Sequence, residues 1–267
     1  MKLKINPKTL DRMDYQIAIP SYRRSDQIVE KTLKTLAESA VPRDKITIFI
    51  VSDEEALYKN ACPDYKIVVG ALGLVEQRRV IQEYYPINSY VVMMDDDITE
   101  LYKPLTEKTK EKITDLPSCF NEMINKMIQE EVSICGIYPC NNFKFALGNQ
   151  EVTTKFSYIV GALYIIKNTR DPYVQPKSSI LEDRERTVLY YIKEKKTLRF
   201  NRICLKTKYF GIGGLDAVDR ISKHTAEARQ LCLQFPLYLR LKICKTRLRK
   251  KEELIDCKCK RLSKNIQ

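Results

Sequence analysis

Apolar positions along this chain form two kinds of pattern, short continuous runs of strand length and longer stripes of helical period, and in the N-terminal half the two take turns. Residues 16–20 (QIAIP) are an apolar run stopped by Pro20 and followed by SYRRSD. Ser25 or Asp26 can cap the helix that follows, in which Ile28, Val29, Leu33, Leu36 and Ala37 share one face, and Pro42 breaks it. Residues 45–51 predict a second buried strand, ending in Ser52, Asp53, Glu54 and Glu55. A third strand is predicted at 65–69, then a loop at 70–73 and a helix at 74–84 that carries Arg78 and Arg79. The fourth, within residues 90–98 (YVVMMDDDI), is an apolar run ending in Asp95, Asp96 and Asp97. This β-α-β-β-α-β order with short connections calls for a largely parallel sheet with right-handed crossovers, an α/β fold.

Further on the pattern loosens. Residues 116–131 fit an amphipathic helix with Phe120, Met123, Ile124, Met127 and Ile128 as the buried stripe, where methionine reads as core filling. Strands are predicted at 132–139 and 156–166, the latter holding Gly161, where a backbone or ligand can come close. Between them, 141–154 reads as a polar loop over a site. Residues 181–195 open with Glu182 and Asp183 and run on as a helix with Val188, Leu189 and Ile192 inward. A strand at 197–209, a flexible loop at 211–214, a helix at 215–233 and an alternating stretch at 237–243 complete the pattern. No repeat or low-complexity linker interrupts it, so the expected organisation is a domain over residues 1–214 and a basic C-terminal segment, 215–267, packed on it.

Composition changes the picture in two places. The chain of 267 residues is 44% hydrophobic and 30% charged, enough for one substantial core. Its first residues lack the apolar segment of a signal peptide, and its longest apolar run, 158–166, is too short to span a bilayer; the expectation is a soluble, intracellular protein with no transmembrane segment. Nine cysteines at irregular spacings without CxxC predict reduced thiols in a cytosolic or nuclear setting. Cys257 and Cys259, near Cys244, are weak metal candidates in a chain with one histidine. The formal net charge is +13, and residues 220–267 hold 14 Lys or Arg against 4 Asp or Glu, which is +10 for that segment alone. Such a block suggests a polyanionic partner, nucleic acid or an anionic membrane surface, although charge runs are more often solvated faces.

Candidate chemistry gathers at strand ends, where open α/β sheets bind ligands. Adjacent carboxylates repel one another, and Asp95 and Asp97 fall on the same side of an extended segment, so an oxygen-seeking Mg²⁺ or Mn²⁺ that bridges substrate phosphates suits them. A solvated acidic turn is the plainer alternative for that triplet alone. IPSYRR after the first strand, VSDEE after the second and MMDDD after the fourth together describe a pocket for a nucleoside diphosphate and a divalent cation.

In order and spacing, IAIPSYRR, VSDEE, GLVEQRR, VVMMDDDI and LEDRERT resemble the metal-dependent glycosyltransferases of the GT-A fold, over residues 16–214. The resemblance implies a Rossmann-like, mostly parallel mixed sheet flanked by helices. It implies that Pro20, Ser21, Tyr22 and Arg23 lie beside the nucleotide sugar, that Asp53 reads the base, and that Gln77, Arg78, Asp95, Asp96 and Gly161 belong to the same site. Asp95 and Asp97 would be the DxD pair for Mn²⁺ or Mg²⁺. Asp183 would be the base that deprotonates the acceptor hydroxyl, with Glu182 its rival; a plain acid at a helix N-terminus is the alternative for both. More narrowly, GLVEQRR with MMDDDI, and LEDRERT with LRFNRICLKTKYFGIGG, are similar to the glycosyltransferases associated with thymine-oxidising dioxygenases. That likeness implies a UDP-sugar donor, glucose in the first instance, and hydroxymethylated pyrimidines in DNA of viruses, phages and kinetoplastids as acceptors. Arg240, Lys242, Arg247, Arg249, Lys250 and Lys251 would then track DNA phosphates. The only histidine, His224, lies in a helical stretch, which departs from the C-terminal metal-ligating histidine common in the wider fold. A glycan or protein acceptor, a nucleotidyltransferase and a non-catalytic nucleic-acid-binding module remain alternatives. The absence of a Gly-rich phosphate loop near the first strand weighs against the second, and the carboxylates against the third.

Overall fold

A computed structural model of the protein, which describes residues 14–207, 217–245 and 253–262, sets the apolar runs of the N-terminal half side by side. Strands β1 (Tyr15–Pro20), β2 (Ile46–Ile50), β3 (Lys66–Val69) and β4 (Tyr90–Met94) pair in parallel in the order β3-β2-β1-β4. Ile17, Ala18 and Ile19 are all fully buried. Because successive side chains leave opposite faces of a strand, Ile17 and Ile19 join one core and Ala18 the other. A strand apolar on both faces needs covering twice. Helix α1 (Ser25–Ile28), a π-helical turn (Val29–Leu33), α2 (Lys34–Glu38) and α3 (Glu55–Ala61) lie on one side, and α4 (Leu74–Tyr84) on the other.

The chain continues through β5 (Ile98–Pro104), β6 (Lys110–Lys112), α5 (Leu116–Glu130), β7 (Ile134–Ile137), α6 (Phe143–Leu147), β8 (Val152–Thr153), β9 (Leu163–Lys167), α7 (Glu182–Glu194), β10 (Leu198–Phe200) and β11 (Cys204–Thr207). β9 inserts antiparallel between β4 and β7, β10 runs parallel to β7, and β8 closes the edge. The result is the expected α/β architecture around a mixed, mostly parallel sheet. A smaller sheet, β11-β5-β6, stands apart from it. Helix α8 (Ala217–Gln234) and the antiparallel hairpin of β12 (Leu239–Lys245) and β13 (Glu253–Cys259) form a C-terminal unit. Its Ala228, Leu231, Phe235, Leu239 and Cys257 build a third core with Phe156, Leu181, Val188 and Tyr191, so the unit is docked on α7. No helix among the described residues is long and apolar enough to cross a membrane.

Several elements differ from expectation for local reasons. Neither Ser25 nor Asp26 caps the first helix: both lie inside it, and Arg24 is the N-cap without a side-chain hydrogen bond. Its buried face runs Ile28, Thr32, Leu33, Thr35 and Leu36, while Val29 and Ala37 are exposed, because the π-turn inserts an extra residue and rotates the stripe. Ile128 and Ile192 are likewise exposed, at 44% and 38%, at the margins of their helices. Helix α3 was not expected; at seven residues it is too short to show a period. The strand expected at 156–166 exists only as β9, since Ser157 and Ile159 donate their amides to the hydroxyls of Thr197 and Thr187. The stretch 197–209 splits between two sheets at Asn201, whose amide is taken by the Glu151 carbonyl. The alternating residues after 237 pair with β13, not with the main sheet. The expected boundary at 214–215 and the loop at 211–214 lie outside the described residues.

Candidate active site

The acidic turn after β4 is held from behind. Asp95 donates its amide to the Ala162 carbonyl at 2.9 Å, which ties the turn to the approach of β9. Thr32, in the π-turn, donates its hydroxyl to the Asp95 carbonyl at 2.8 Å and accepts the Ile98 amide at 2.9 Å, bridging the turn's two ends. Thr35 adds a bond to the Ile98 carbonyl at 3.2 Å. The π-turn thus brings a buried threonine where a regular helix would have placed another residue.

So fixed, the three carboxylates part ways. Asp96 turns inward at 5% exposure and accepts hydrogen bonds from Ser21 at 2.6 Å and Arg24 at 2.8 Å. Ser21 is itself buried and also meets the Tyr58 hydroxyl at 2.6 Å, so Ser21 and Asp96 face each other rather than an open cleft. Asp97 lies 3.6 Å from Arg24, and Asp95 lies 3.7 Å from Arg78 with 37% of its side chain exposed. Partial burial, with Asp97 and Asp96 adding to it against Arg78, pushes the Asp95 carboxyl up; burial and Asp96 also push Asp97 up, with Arg24 opposing. Nearby arginines therefore leave negative charge at Asp95 and Asp97 incompletely neutralised. Among the described residues no three His, Cys, Asp or Glu side chains converge on a metal position. Two hard oxygen donors with residual charge fit a divalent cation that completes its shell with water and phosphate. Cys257, by contrast, is fully buried in the third core.

Around the turn, the other candidates occupy distinct positions. Pro20 ends β1, and Tyr22 lies half-buried beneath the Arg23 guanidinium, 4.9 Å from its ring centre. Arg23 is exposed with φ of 56° and donates its amide to both Glu54 carboxylate oxygens at 2.9 Å. Asp53 is exposed at the rim and meets only its neighbour Ser52, at 3.2 Å, among the described contacts. Gln77 is buried and spans two backbones: its oxygen accepts from Ala71 at 2.7 Å and its nitrogen donates to the Ile50 carbonyl at 3.1 Å. A Cβ at Gly70 would lie 2.0 Å from that oxygen, so a larger residue there would push Gln77 off its two backbone partners.

Arg78 connects the acidic turn to the start of α7. Besides Asp95 it donates to the Gly161 carbonyl at 3.0 Å and pairs with Glu182. Arg186, one helical turn on, pairs with Glu182 from the other side, and both guanidinium groups lie over the Tyr164 ring, at 5.3 and 3.7 Å. Burial alone would raise the Glu182 carboxyl, but Arg186 and Arg78 hold it below the usual carboxylate range. Its chain neighbour has the opposite fate. Asp183 accepts from the Tyr158 hydroxyl and from the Gly161 amide at 3.4 Å, and burial together with the Glu182 charge pushes its carboxyl up to about 7. A Cβ on Gly161 would come within 2.9 Å of Glu182 Oε1 and 3.4 Å of the Asp183 Cβ, so a larger residue there would have to displace the Glu182 carboxylate. Arg184 stacks on Tyr158, 3.6 Å from its ring centre.

Sequence reasoning did not single out Arg186, Tyr158, Tyr164, Glu54 or Thr32. Two of them left a signal, Arg186 through its i, i+4 spacing from Glu182 in LEDRERT and Glu54 as one of the acids in VSDEE. Of the basic candidates, Arg240 and Lys242 are exposed on β12, and Lys258 of β13 stands directly opposite Arg240. Like charges across a hairpin repel, and a bound polyanion would relieve them. Arg247, Arg249, Lys250 and Lys251 lie outside the described residues.

The sequence profile of the TET-associated glycosyltransferase family matches residues 15–210. No curated protein sequence matches the chain. Among solved structures, the chain is similar to the mannosyltransferase PcManGT from Pyrobaculum calidifontis in complex with GDP-Man and Mn²⁺, at 13% identity and a TM-score of 0.49, over 83% of this chain and 63% of that one. It is similar to S. aureus TarS at 14% identity and a TM-score of 0.49, over 84% and 44% of the two chains. It is also similar to 4-diphosphocytidyl-2C-methyl-D-erythritol synthase from Anaerococcus prevotii, at 12% identity and a TM-score of 0.45, over 80% and 96%. The chain thus spans less than two thirds of the mannosyltransferase and less than half of TarS.

Proposed function

We propose that this chain, which belongs to the TET-associated glycosyltransferase family and is a glycosyltransferase, transfers a sugar from a UDP-sugar to the hydroxyl of a hydroxymethylated pyrimidine in DNA. The observation that carries the reading is the position of Arg78. It touches Asp95 of the acidic turn, Gly161, whose amide Asp183 accepts, and Glu182, the chain neighbour of Asp183, and so links the acidic turn to the start of α7. Sugar transfer needs both functions close together: charge neutralisation at the departing diphosphate and a proton acceptor at the incoming hydroxyl.

In this reading Asp95 and Asp97 hold Mn²⁺ or Mg²⁺, which when bound supplies Lewis-acid neutralisation of the diphosphate. Asp183 takes the acceptor proton. Its carboxyl, pushed up to about 7 by burial and by Glu182, is poised near neutral pH, where a general base works best. Glu182 stays ionised between Arg78 and Arg186, and its charge raises the basicity of Asp183. Tyr158 donates to Asp183 and fixes which oxygen stays free. Pro20, Tyr22, Arg23 and Asp53 border the nucleotide, and Gln77 steadies the loop after β3.

The acceptor rests on different support. A family described by association with TET enzymes points to the hydroxymethyl product such dioxygenases make, and the exposed Arg240, Lys242 and Lys258 suit a phosphate backbone. Asp183 exposes only 19% of its side chain, so a stacked base would not reach it and the target nucleotide is expected to turn out of the duplex. The test is UDP release from UDP-glucose with Mn²⁺, comparing duplex DNA containing hydroxymethyluracil with the same duplex containing thymine. The reading expects release with the first duplex only, abolished by chelator. Equal release with both would overturn the acceptor, and no release with any UDP-sugar would overturn the donor.

A further inference from the structure

Helix α7 begins without a cap of its own. Its N-cap residue is Leu181, which has no side chain able to accept the free amides there. The Ser178 hydroxyl accepts the Leu181 amide at 2.9 Å, the Arg184 and Glu185 amides turn back to the Leu181 carbonyl, and the turn before the helix is held from another element. Glu227, on α8, accepts from the amides of Ile180 at 2.9 Å and Leu181 at 3.3 Å, from the Ser179 hydroxyl at 2.6 Å and from the Ser178 hydroxyl. The carboxyl is held below the usual range: burial acts against that, but the hydroxyls of Ser178 and Ser179 and both amides outweigh it. Glu185, in the first turn of α7, completes the arrangement by accepting the amides of Lys177 and Ser178, both at 2.7 Å. The turn 177–181 is therefore bound on one side by its own helix and on the other by the C-terminal unit.

The residue two positions after Leu181 is Asp183. A second link reaches it from the same unit: Arg184, stacked on the Tyr158 that donates to Asp183, lies 3.7 Å from Asp256 and donates to the Cys257 carbonyl at 3.2 Å, both on β13. The C-terminal unit thus grips α7 just before and just after Asp183. Glu227, Asp256 and Cys257 all lie beyond residue 210, where the family match ends.

We propose that Glu227 is a positioning residue for sugar transfer: by holding the turn 178–181 from α8 it sets where α7 begins and so the place of Asp183, and the C-terminal unit is part of the catalytic apparatus. This rests on the reading of Asp183 as the base. Without that anchor the turn leading into the helix can shift, and a displacement near 1 Å of a proton acceptor is enough to lower turnover about 10²-fold.

The test is a double-mutant cycle in the full chain, with UDP-glucose, Mn²⁺ and hydroxymethyluracil duplex, reading kcat and donor KM for Glu227→Ala, Asp183→Asn and the pair. Glu227→Ala should lower kcat about 10- to 100-fold and leave donor KM within about two-fold, since the donor side of the site is untouched. In the Asp183→Asn background the same substitution should cost almost nothing, because the group it positions is gone. Glu227→Gln keeps the size and one acceptor oxygen, so it should recover part of the turnover and serves if the alanine variant does not fold. Unchanged kcat in both variants would overturn the proposal, as would losses that multiply across the cycle or that follow the folded fraction. Full turnover in Asp183→Asn alone would instead overturn the base assignment, and the proposal with it.

Discussion

Glu182 and Asp183 are chain neighbours in the same first helical turn, yet their surroundings send their protons in opposite directions. Glu182 lies between Arg78 and Arg186 and stays ionised, whereas Asp183 meets a phenol, a backbone amide and the Glu182 charge, and is pushed up to about 7. The pair therefore divides into a fixed anion and a titrating acceptor. Asp183→Asn should lower turnover about 10²-fold or more with donor affinity preserved, and turnover of the parent should rise with pH through about 7 as the base ionises. Stability moves the other way. Between about pH 4 and about pH 7 the folded Asp183 keeps a proton that the unfolded chain has released, so its contribution is complete at the acid end and lost as pH rises through 7. Calorimetry should accordingly find Asp183→Asn raising Tm at pH 8 and leaving it nearly unchanged at pH 4; equal shifts at both would contradict the assignment. Glu182→Gln should behave unlike its neighbour. It leaves the buried Arg186 guanidinium without its anion and Arg78 with Asp95 alone, at a cost of about 3–5 kcal/mol, read as a lower denaturant midpoint.

Elements decide where those residues end up, and how far each could be read in advance depends on whether its signal is local. Leu74–Tyr84 matches its expected helix residue for residue because a full amphipathic stripe and the glycine loop before it are local features. The apolar run ending in Asp95–Asp97 was equally legible. The π-turn at Val29–Leu33 was not, since a helical stripe carries no mark of one inserted residue, and so the role of Thr32 stayed hidden. Nor could the chain show that residues 156–162 leave the sheet: their amides are claimed by Thr187 and Thr197, which are distant in sequence. Asp183 was visible as a motif, but its phenol and the arginine clamp on Glu182 exist only once α7, α4 and the segment before β9 meet. Thr32→Val tests the hidden element. The fully buried hydroxyl is removed at nearly constant volume, leaving the Ile98 amide unpaired, so stability should fall by about 1–3 kcal/mol and turnover with it. An unchanged denaturant midpoint would mean the acidic turn holds itself.

At the scale of the whole molecule the charge is uneven, +10 of the +13 lying in residues 220–267, and the C-terminal unit that carries it is docked on the helix of the candidate base. In the proposed reading one segment both holds DNA and holds Asp183. Phosphate contacts make binding salt-dependent, each contributing about 0.9 to the slope of log K against log salt. Replacing Arg240 and Lys242 with alanine should flatten that slope by up to about 2 in anisotropy titrations with hydroxymethyluracil duplex. An unchanged slope would assign the charge to solubility. Sugar transfer to a hydroxymethylated base is the central claim, and the modified base itself reports on it most directly. Hydroxymethyluracil duplex is incubated with the enzyme, UDP-glucose and Mn²⁺, digested to nucleosides and weighed by mass spectrometry. The account predicts hydroxymethyldeoxyuridine heavier by one hexose with the parent enzyme and none with Asp183→Asn; unmodified nucleosides alongside full UDP release, or equal product from the Asp183→Asn variant, would contradict it.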